Sequence, residues 1–262
     1  RRFLWPDAAC AGAGIGRREG MRQLVTPLLC LLAGFATAAP DSSVFEKRPA
    51  ESRSFDIIQY FPQKGRTVSF GGDLLKWKGE GDCSQNESME PIISVQGDGV
   101  TIRDAFIEES PDGIHVSAPN VVIENIVFPK VCEDAITANE GADNLVIRNC
   151  AFRGARDKAI QLNAGRNILI ENCYFEDCSK PVRVKPGVTV TVRNNRSRGS
   201  AVFVFADGKG AEAVVEKNTV EDSRHFVRSE KEALVVIGPG NRLSGIERGN
   251  EASKGGRIEE RR

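Results

Sequence analysis

The sequence predicts an all-β fold, a parallel β-helix whose coils run about 21–25 residues, and three observations lead there. The first is a recurring strand pattern. GVTIRDAFIEE, NVVIENIVFPK, NLVIRNCAFRG, NILIENCYFED, GVTVTVRNNRS and AEAVVEKNTVE each alternate apolar and polar residues, and each ends on a polar one. The second is the interval between those polar positions, Asp104, Asn125, Asn149, Asn172, Asn194 and Asn218, which are 21, 24, 23, 22 and 24 residues apart. The third is composition: 26 Gly but only two Trp and two Tyr in 262 residues suits short strands joined by turns.

Apolar pairs sit just ahead of each polar position: Val100 and Ile102, Val121 and Ile123, Leu145 and Ile147, Ile168 and Ile170, Val190 and Val192. A period of two means strand, and recurrence at 20–50 residues means a solenoid or an array. The repeat is too short for a helical hairpin and too polar for a leucine-rich horseshoe. A sandwich would want turn signals every 8–12 residues, a propeller blade about 40 residues. Stacked coils bury the Ile, Val and Phe positions, and the recurrent Asn column is expected to form a hydrogen-bonded ladder at a bend.

The ends read differently from the repeats. From Met21 the chain runs MRQLVTPLLCLLAGFATAAP, the basic, apolar and small-residue sequence of a secretory signal. Its apolar part, Leu24 to Phe35, is too short for a span, which needs about 20 residues. Residues 1–20 read as translated upstream sequence, 21–38 as the leader, 39–245 as the solenoid and 246–262 as a charged, disordered tail. Export makes the cysteines candidates for oxidation. Cys83, Cys132, Cys150, Cys173 and Cys178 are an odd count, and the 23-residue step between Cys150 and Cys173 predicts a bond between them. No zinc spacing occurs. Lys+Arg and Asp+Glu balance at 36 each, so nothing points to nucleic acid.

Residues one coil apart lie on neighbouring strands, about 4.8 Å from each other. At that interval the sequence places Glu87, Asp112, the pair Glu133/Asp134, Lys158 and Arg183, with steps of 25, 21 or 22, 24 or 25, and 25 residues. Converging carboxylates cannot all stay ionised without counter-charge. A hard divalent cation meets that need with oxygen ligands, and calcium does so in adaptable geometry. The bland alternative is that one acid simply pairs with Lys158 or Lys130. Glu133 and Asp134 are adjacent, so both can be ligands only if the strand bends or ends there.

The stretches CSQNESMEP, DGIH, VCEDA, DKAIQLNAG and KPVR, in that order from Cys83 to Arg183, resemble the small secreted pectate lyases of polysaccharide lyase family 3. The resemblance implies a right-handed parallel β-helix, calcium dependence and cleavage of de-esterified homogalacturonan (polygalacturonate, the pectin of plant cell walls) by β-elimination. It implies that Asp112, Glu133 and Asp134 bind Ca2+, that Lys158 and Arg183 are the catalytic cations with Glu87 in the same cleft, and that Gln161 and Lys180 contact substrate. Aromatic residues typical near VCED are replaced by Val127-Phe128-Pro129, and Val116 follows DGIH where Cys is frequent in fungal members. A secreted monomer, free of the membrane once its leader is removed, is the expected state.

Two rivals stay open on the residues alone: a polygalacturonase-type hydrolase using paired carboxylates, and a non-catalytic solenoid that binds acidic polysaccharide. His115 and His225 have no Ser or Cys partners and read as structural or surface residues. GPGNRLSG at 238–245 is turn chemistry, since no helix signal follows it. NES at Asn86 and NRS at Asn195 fit the glycosylation sequon, but one lies in the expected cleft and the other beside the ladder.

Overall fold

Residues 39–78, 90–108, 110, 112–130 and 132–261 are described by a computed structural model. The upstream segment and leader assigned to residues 1–38 lie outside them, as do Cys83, Asn86 and Glu87. The chain divides into two units, Arg1–Ala36 and Thr37–Arg262, and every described residue belongs to the second. That unit is an all-β solenoid. A short 3-10 turn, Ser42–Glu46, leads into it, capped by the Asp41 carboxylate accepting from the Ser43 N–H at 3.0 Å. The strands that follow all pair in parallel, in one fifteen-stranded and one nine-stranded sheet. No described helix is long and apolar enough to cross a membrane.

The apolar alternation read from the sequence is the register of the core. Ile102, Ile123, Ile147, Ile170, Val192, Val215 and Ile237 are consecutive partners along one sheet. Ile114, Ile136, Ile160, Val182, Val204 and Val227 are partners along the other. Between them runs a column of buried phenylalanines. Phe128, Phe152 and Phe175 stack with ring centroids 5.0 Å apart, and Phe203 and Phe226 stack at 6.1 Å. The outer face obeys the same register with charge. Arg103, Glu124, Arg148, Glu171, Arg193 and Glu216 alternate in sign along successive strands, with Arg148–Glu124 at 2.6 Å and Arg193–Glu171 at 2.8 Å.

The polar ladder is real, and the predicted column divides between two neighbouring ones. Asp104, Asn125, Asn149, Asn172 and Asn194 all adopt positive φ, between 53° and 59°, so they make the outer bend as expected. The next member of that column is Lys217 (φ 56°), not Asn218. Asn218 belongs one residue further on, in an inner column with Asn195 and Asn241. The Asn218 Oδ1 accepts from the Asn195 N–H at 2.9 Å, and its Nδ2 donates to the Val192 carbonyl at 2.9 Å. Asn195 is 2 % exposed with its amide likewise engaged, so its sequon lies inside the wall.

Cys150 and Cys173 occupy that same inner column and are free thiols, which corrects the expected bond between them. Each thiol is aimed at the carbonyl two residues back, Arg148 and Glu171, at 3.3 Å. They fill the slot that later coils give to Asn because the slot wants a small side chain that hydrogen-bonds a turn carbonyl. Burial pushes the Cys178 thiol up to about 12, and Cys173 also well above its ordinary value. Cys132 is disulfide-bonded, with its partner outside the described residues.

The segment 246–262 also departs from expectation. Glu251–Ser253 pairs with Arg228–Glu230, and Arg257–Glu260 with Leu234–Ile237, so the solenoid continues past Gly245. Two apolar residues suffice here: Ile246 and Ile258 pack on the core, and the preceding coil supplies the backbone template.

Asn218→Ala is expected to cost about 2–4 kcal/mol in denaturant unfolding, because it strands the Asn195 N–H and the Val192 carbonyl in the interior. Glu171→Lys, which lines up three cations on the outer ladder, is expected to cost about 1–2 kcal/mol in the same measurement. Thiol labelling should find Cys150, Cys173 and Cys178 silent in the native protein and reactive once it is unfolded.

Candidate active site

The nine-stranded sheet brings the predicted charges together. Asp134 pairs with Lys158 and Lys158 with Lys180 in the strand register, while Asp112 begins the neighbouring strand two residues before the Ile114–Ile136 pair. The column therefore reads Asp112, Asp134, Lys158, Lys180. Arg183 lies three residues further along, in register with Gln161 and Thr137. Strict alternation would turn Lys158 and Gln161 to opposite faces. Instead Ala159 and Ile160 both enter the core, the pleat slips by one, and positions one and four of the strand share the outer face. Glu133 sits in the bend just before the strand Asp134–Ala138, so adjacency with Asp134 does not separate the two acids. Gly113 is needed in the neighbouring strand because a Cβ there would run into the Ala135 carbonyl of the next coil and the Phe128 ring.

Three carboxylates converge: Glu133, Asp134 and Asp157 place an oxygen each within 4.8 Å of one another. Asp157 was not singled out from the sequence. It is one coil after Glu133 and immediately precedes Lys158, and that repeat interval was the available signal. Asp112 stands beside the trio with both oxygens engaged, Oδ2 with His115 Nε2 at 2.7 Å and Oδ1 accepting from the Asp134 N–H at 3.2 Å. His115, expected to be structural or superficial, thus orients a site carboxylate and lines the cleft.

Burial dominates the electrostatics. It pushes Asp134 up to about 7, opposed by Lys158 and reinforced by the charges of Asp112 and Asp157. Asp134 Oδ1 has no hydrogen bond, only the Lys158 ammonium at 3.4 Å. For Lys158, burial lowers the pKa, but the hydrogen bond it donates to Asp157 and the charges of Asp134 and Asp157 outweigh it, and the ammonium sits above the ordinary lysine value. Asp157 is held below the usual carboxylate range, against burial, by hydrogen bonds from Lys158 and Lys180, the latter at 2.7 Å.

On the strand after Gln161, Arg183 donates to Asp207 at 2.7 Å, and Lys231 approaches the other Asp207 oxygen at 2.9 Å. Phe205 lies between the Arg183 and Arg228 guanidiniums, 5.6 and 5.5 Å from its ring centroid. Gln161 donates to Asn163 at 2.8 Å, leaving its Oε1 without a partner, and the Thr137 hydroxyl is unpartnered too. A cleft of about 250 Å³ is lined by Asp112, His115, Glu133, Asp134, Thr137, Asn139, Lys158, Gln161, Asn163 and Lys185. Oxygen ligands at one end and cations at the other suit a polyanion held by a hard metal ion and ammonium or guanidinium groups. Glu87 lies outside the described residues.

The family model described as pectate lyase matches residues 59–226. "Probable pectate lyase G" of Emericella nidulans is 28% identical over 166 residues, covering 61% of this chain and 64% of its own length. Pectate lyase E of Emericella nidulans is 30% identical over 166 residues, covering 60% of this chain and 65% of its own. The matched region thus spans a little under two thirds of these relatives. Among solved structures, an alginate lyase from Paenibacillus sp. str. FPU-7 covers 83% of this chain and 95% of its own at 14% identity, with a TM-score of 0.49, too loose a likeness to argue from. With the family model covering residues 59–226, all of the described cleft included, the chain belongs to the pectate lyase family.

Proposed function

We propose that this protein is a calcium-dependent pectate lyase, secreted through the leader at residues 21–38, that cleaves de-esterified homogalacturonan by β-elimination. The observation that carries the reading is the convergence of Glu133, Asp134 and Asp157 within 4.8 Å at a cleft where Lys158 and Lys185 supply cations and Arg183 is in register with the lining residue Gln161. Three carboxylates so close favour a shared cation, and the buried Asp134 Oδ1 without a hydrogen bond is the acceptor such an ion would satisfy. Glu133, Asp134 and Asp157 would hold calcium, with Asp112 orienting Asp134 through its backbone N–H. Bound there, calcium supplies Lewis-acid stabilisation of the negative charge that develops on the uronate carboxylate.

The chain's own residues divide the remaining work. Lys158 is kept positive by Asp157 and Asp134, so it suits electrostatic stabilisation better than proton removal. Arg183, in register with Gln161 and paired with Asp207, is assigned the C5 proton on the resemblance to the family, which requires it first to give up its own proton, and the C4 oxygen leaves as the double bond forms. Gln161 and Lys180 position the polymer. Support for elimination over hydrolysis comes from the acids themselves. An inverting hydrolase needs its two carboxyl groups about 6.5–9.5 Å apart to seat a water, and a retaining one about 5–5.5 Å. Here the nearest oxygens of three acids, not two, gather within 4.8 Å and a cation, Lys158, follows one coil on, an arrangement that favours a shared metal ion over a water seated between two carboxyl groups.

On polygalacturonate the protein is expected to release product with the ultraviolet absorbance of an unsaturated uronate. Chelation should abolish this and added calcium restore it; reducing ends formed without that absorbance would establish hydrolysis instead. Lys158→Ala and Arg183→Ala are each expected to lower kcat by about 10²–10³. Activity should climb into alkaline buffer, since the base works only after losing its proton, and an optimum in mildly acidic buffer would contradict the assignment.

A further inference from the structure

We propose that Lys185, together with Thr137, forms a subsite of this cleft that receives a uronate unit with a free carboxylate. The inference rests on the reading of the cleft as a polyuronate site and adds to it the residue that reads the charge of one bound unit.

Lys185 follows the strand Lys180–Val184 and is anchored by its backbone, its N–H donating to the Leu162 carbonyl at 3.0 Å and its own carbonyl accepting from Val188 at 3.3 Å. The half-buried side chain lines the cleft beside Asn163 and Gln161. Every other cation at the cleft is already matched. Lys158 meets Asp157 and Asp134, Lys180 meets Asp157, and Arg183 shares Asp207 with Lys231. Among the described residues no carboxylate lies within ion-pair distance of the Lys185 ammonium. Burial and the surrounding charges of Arg183, Lys231 and Lys158 lower its pKa, against the pull of Asp207, so this ammonium is short of negative charge.

Independent of charge, Thr137 and Gln161 are only 5 % and 8 % exposed, yet the Thr137 hydroxyl and the Gln161 Oε1 are buried without partners. Buried polar atoms are normally satisfied, and these two offer a donor and an acceptor on one wall. A neutral sugar would satisfy the hydroxyl and the amide but not the ammonium. A uronate satisfies all three, and a methyl ester removes the charge that Lys185 needs.

The test is steady-state turnover of polygalacturonate and of highly methyl-esterified pectin, both with calcium, for wild type, Lys185→Ala, Lys185→Arg and the exposed control Lys209→Ala. Lys185→Ala is expected to raise KM for polygalacturonate about tenfold with kcat within about twofold, and to narrow the preference over esterified pectin. Lys185→Arg should recover most of the affinity, and Lys209→Ala should match wild type. An unchanged KM in a Lys185→Ala protein with native circular dichroism overturns the inference. Electrophoresis through a polygalacturonate gel reads the same contact without turnover. If wild type makes no unsaturated product but is retarded, and Lys185→Ala is not, the lyase reading fails and the subsite stands; equal retardation overturns the subsite.

Discussion

Stacking of one backbone coil directly on the next, strand to strand at about 4.8 Å, is the constraint on which the other features depend. It turns a sequence interval of 21–25 residues into a contact, so that Asp134 meets Lys158 and Lys158 meets Lys180 without any long-range folding of loops. The same translation puts Phe128 on Phe152 on Phe175 and carries the inner asparagines onto one another. A slip of one residue would move each of these side chains to the wrong face, so the register has to be specified redundantly. The core does so with volume, the inner ladder with hydrogen bonds, and the outer ladder with alternating sign.

The contrast between the two charged surfaces explains where chemistry can occur. On the outer ladder acids sit between bases, Glu124 between Arg103 and Arg148, Glu171 between Arg148 and Arg193. In the cleft the acids Asp112, Glu133 and Asp134 sit on early coils and Lys180 and Lys185 on a later one, with Lys158 and Asp157 at the boundary. Segregation leaves Asp134 short of positive charge and Lys185 short of negative charge, which is the arrangement a metal ion and an anionic polymer together complete.

Several features were legible in the residues because they are properties of an interval. Ile102, Ile123, Ile147 and Ile170 announce their column by spacing alone, and so do Asp112, Glu133, Asp134 and Lys158. Others were misplaced by a single position. Asn218 was assigned to the outer bend, where Lys217 in fact takes positive φ. Coil lengths vary by a few residues, so spacing alone fixes a position only to within that slack. Cys150 and Cys173 were correctly placed on one column, yet proximity does not decide bonding, and their thiols turn to the turn carbonyls instead. The charged segment after Gly245 misled for a compositional reason, because a terminal coil borrows its template from the coil before it and needs few apolar residues of its own.

By itself the sequence determined the periodicity, and with it the solenoid, its core columns and the neighbourhood of acids and cations, since repeat length is written linearly in the chain. What only the tertiary structure decided is the direction each side chain takes within that neighbourhood. The double entry of Ala159 and Ile160 into the core brings Lys158 and Gln161 to one face, Asp157 replaces Asp112 in the convergent trio, and Lys185 is left unmatched while Arg183 is not. Those outcomes depend on where the pleat slips and which partner lies nearer by an ångström or two, quantities that exist only once the coils are stacked.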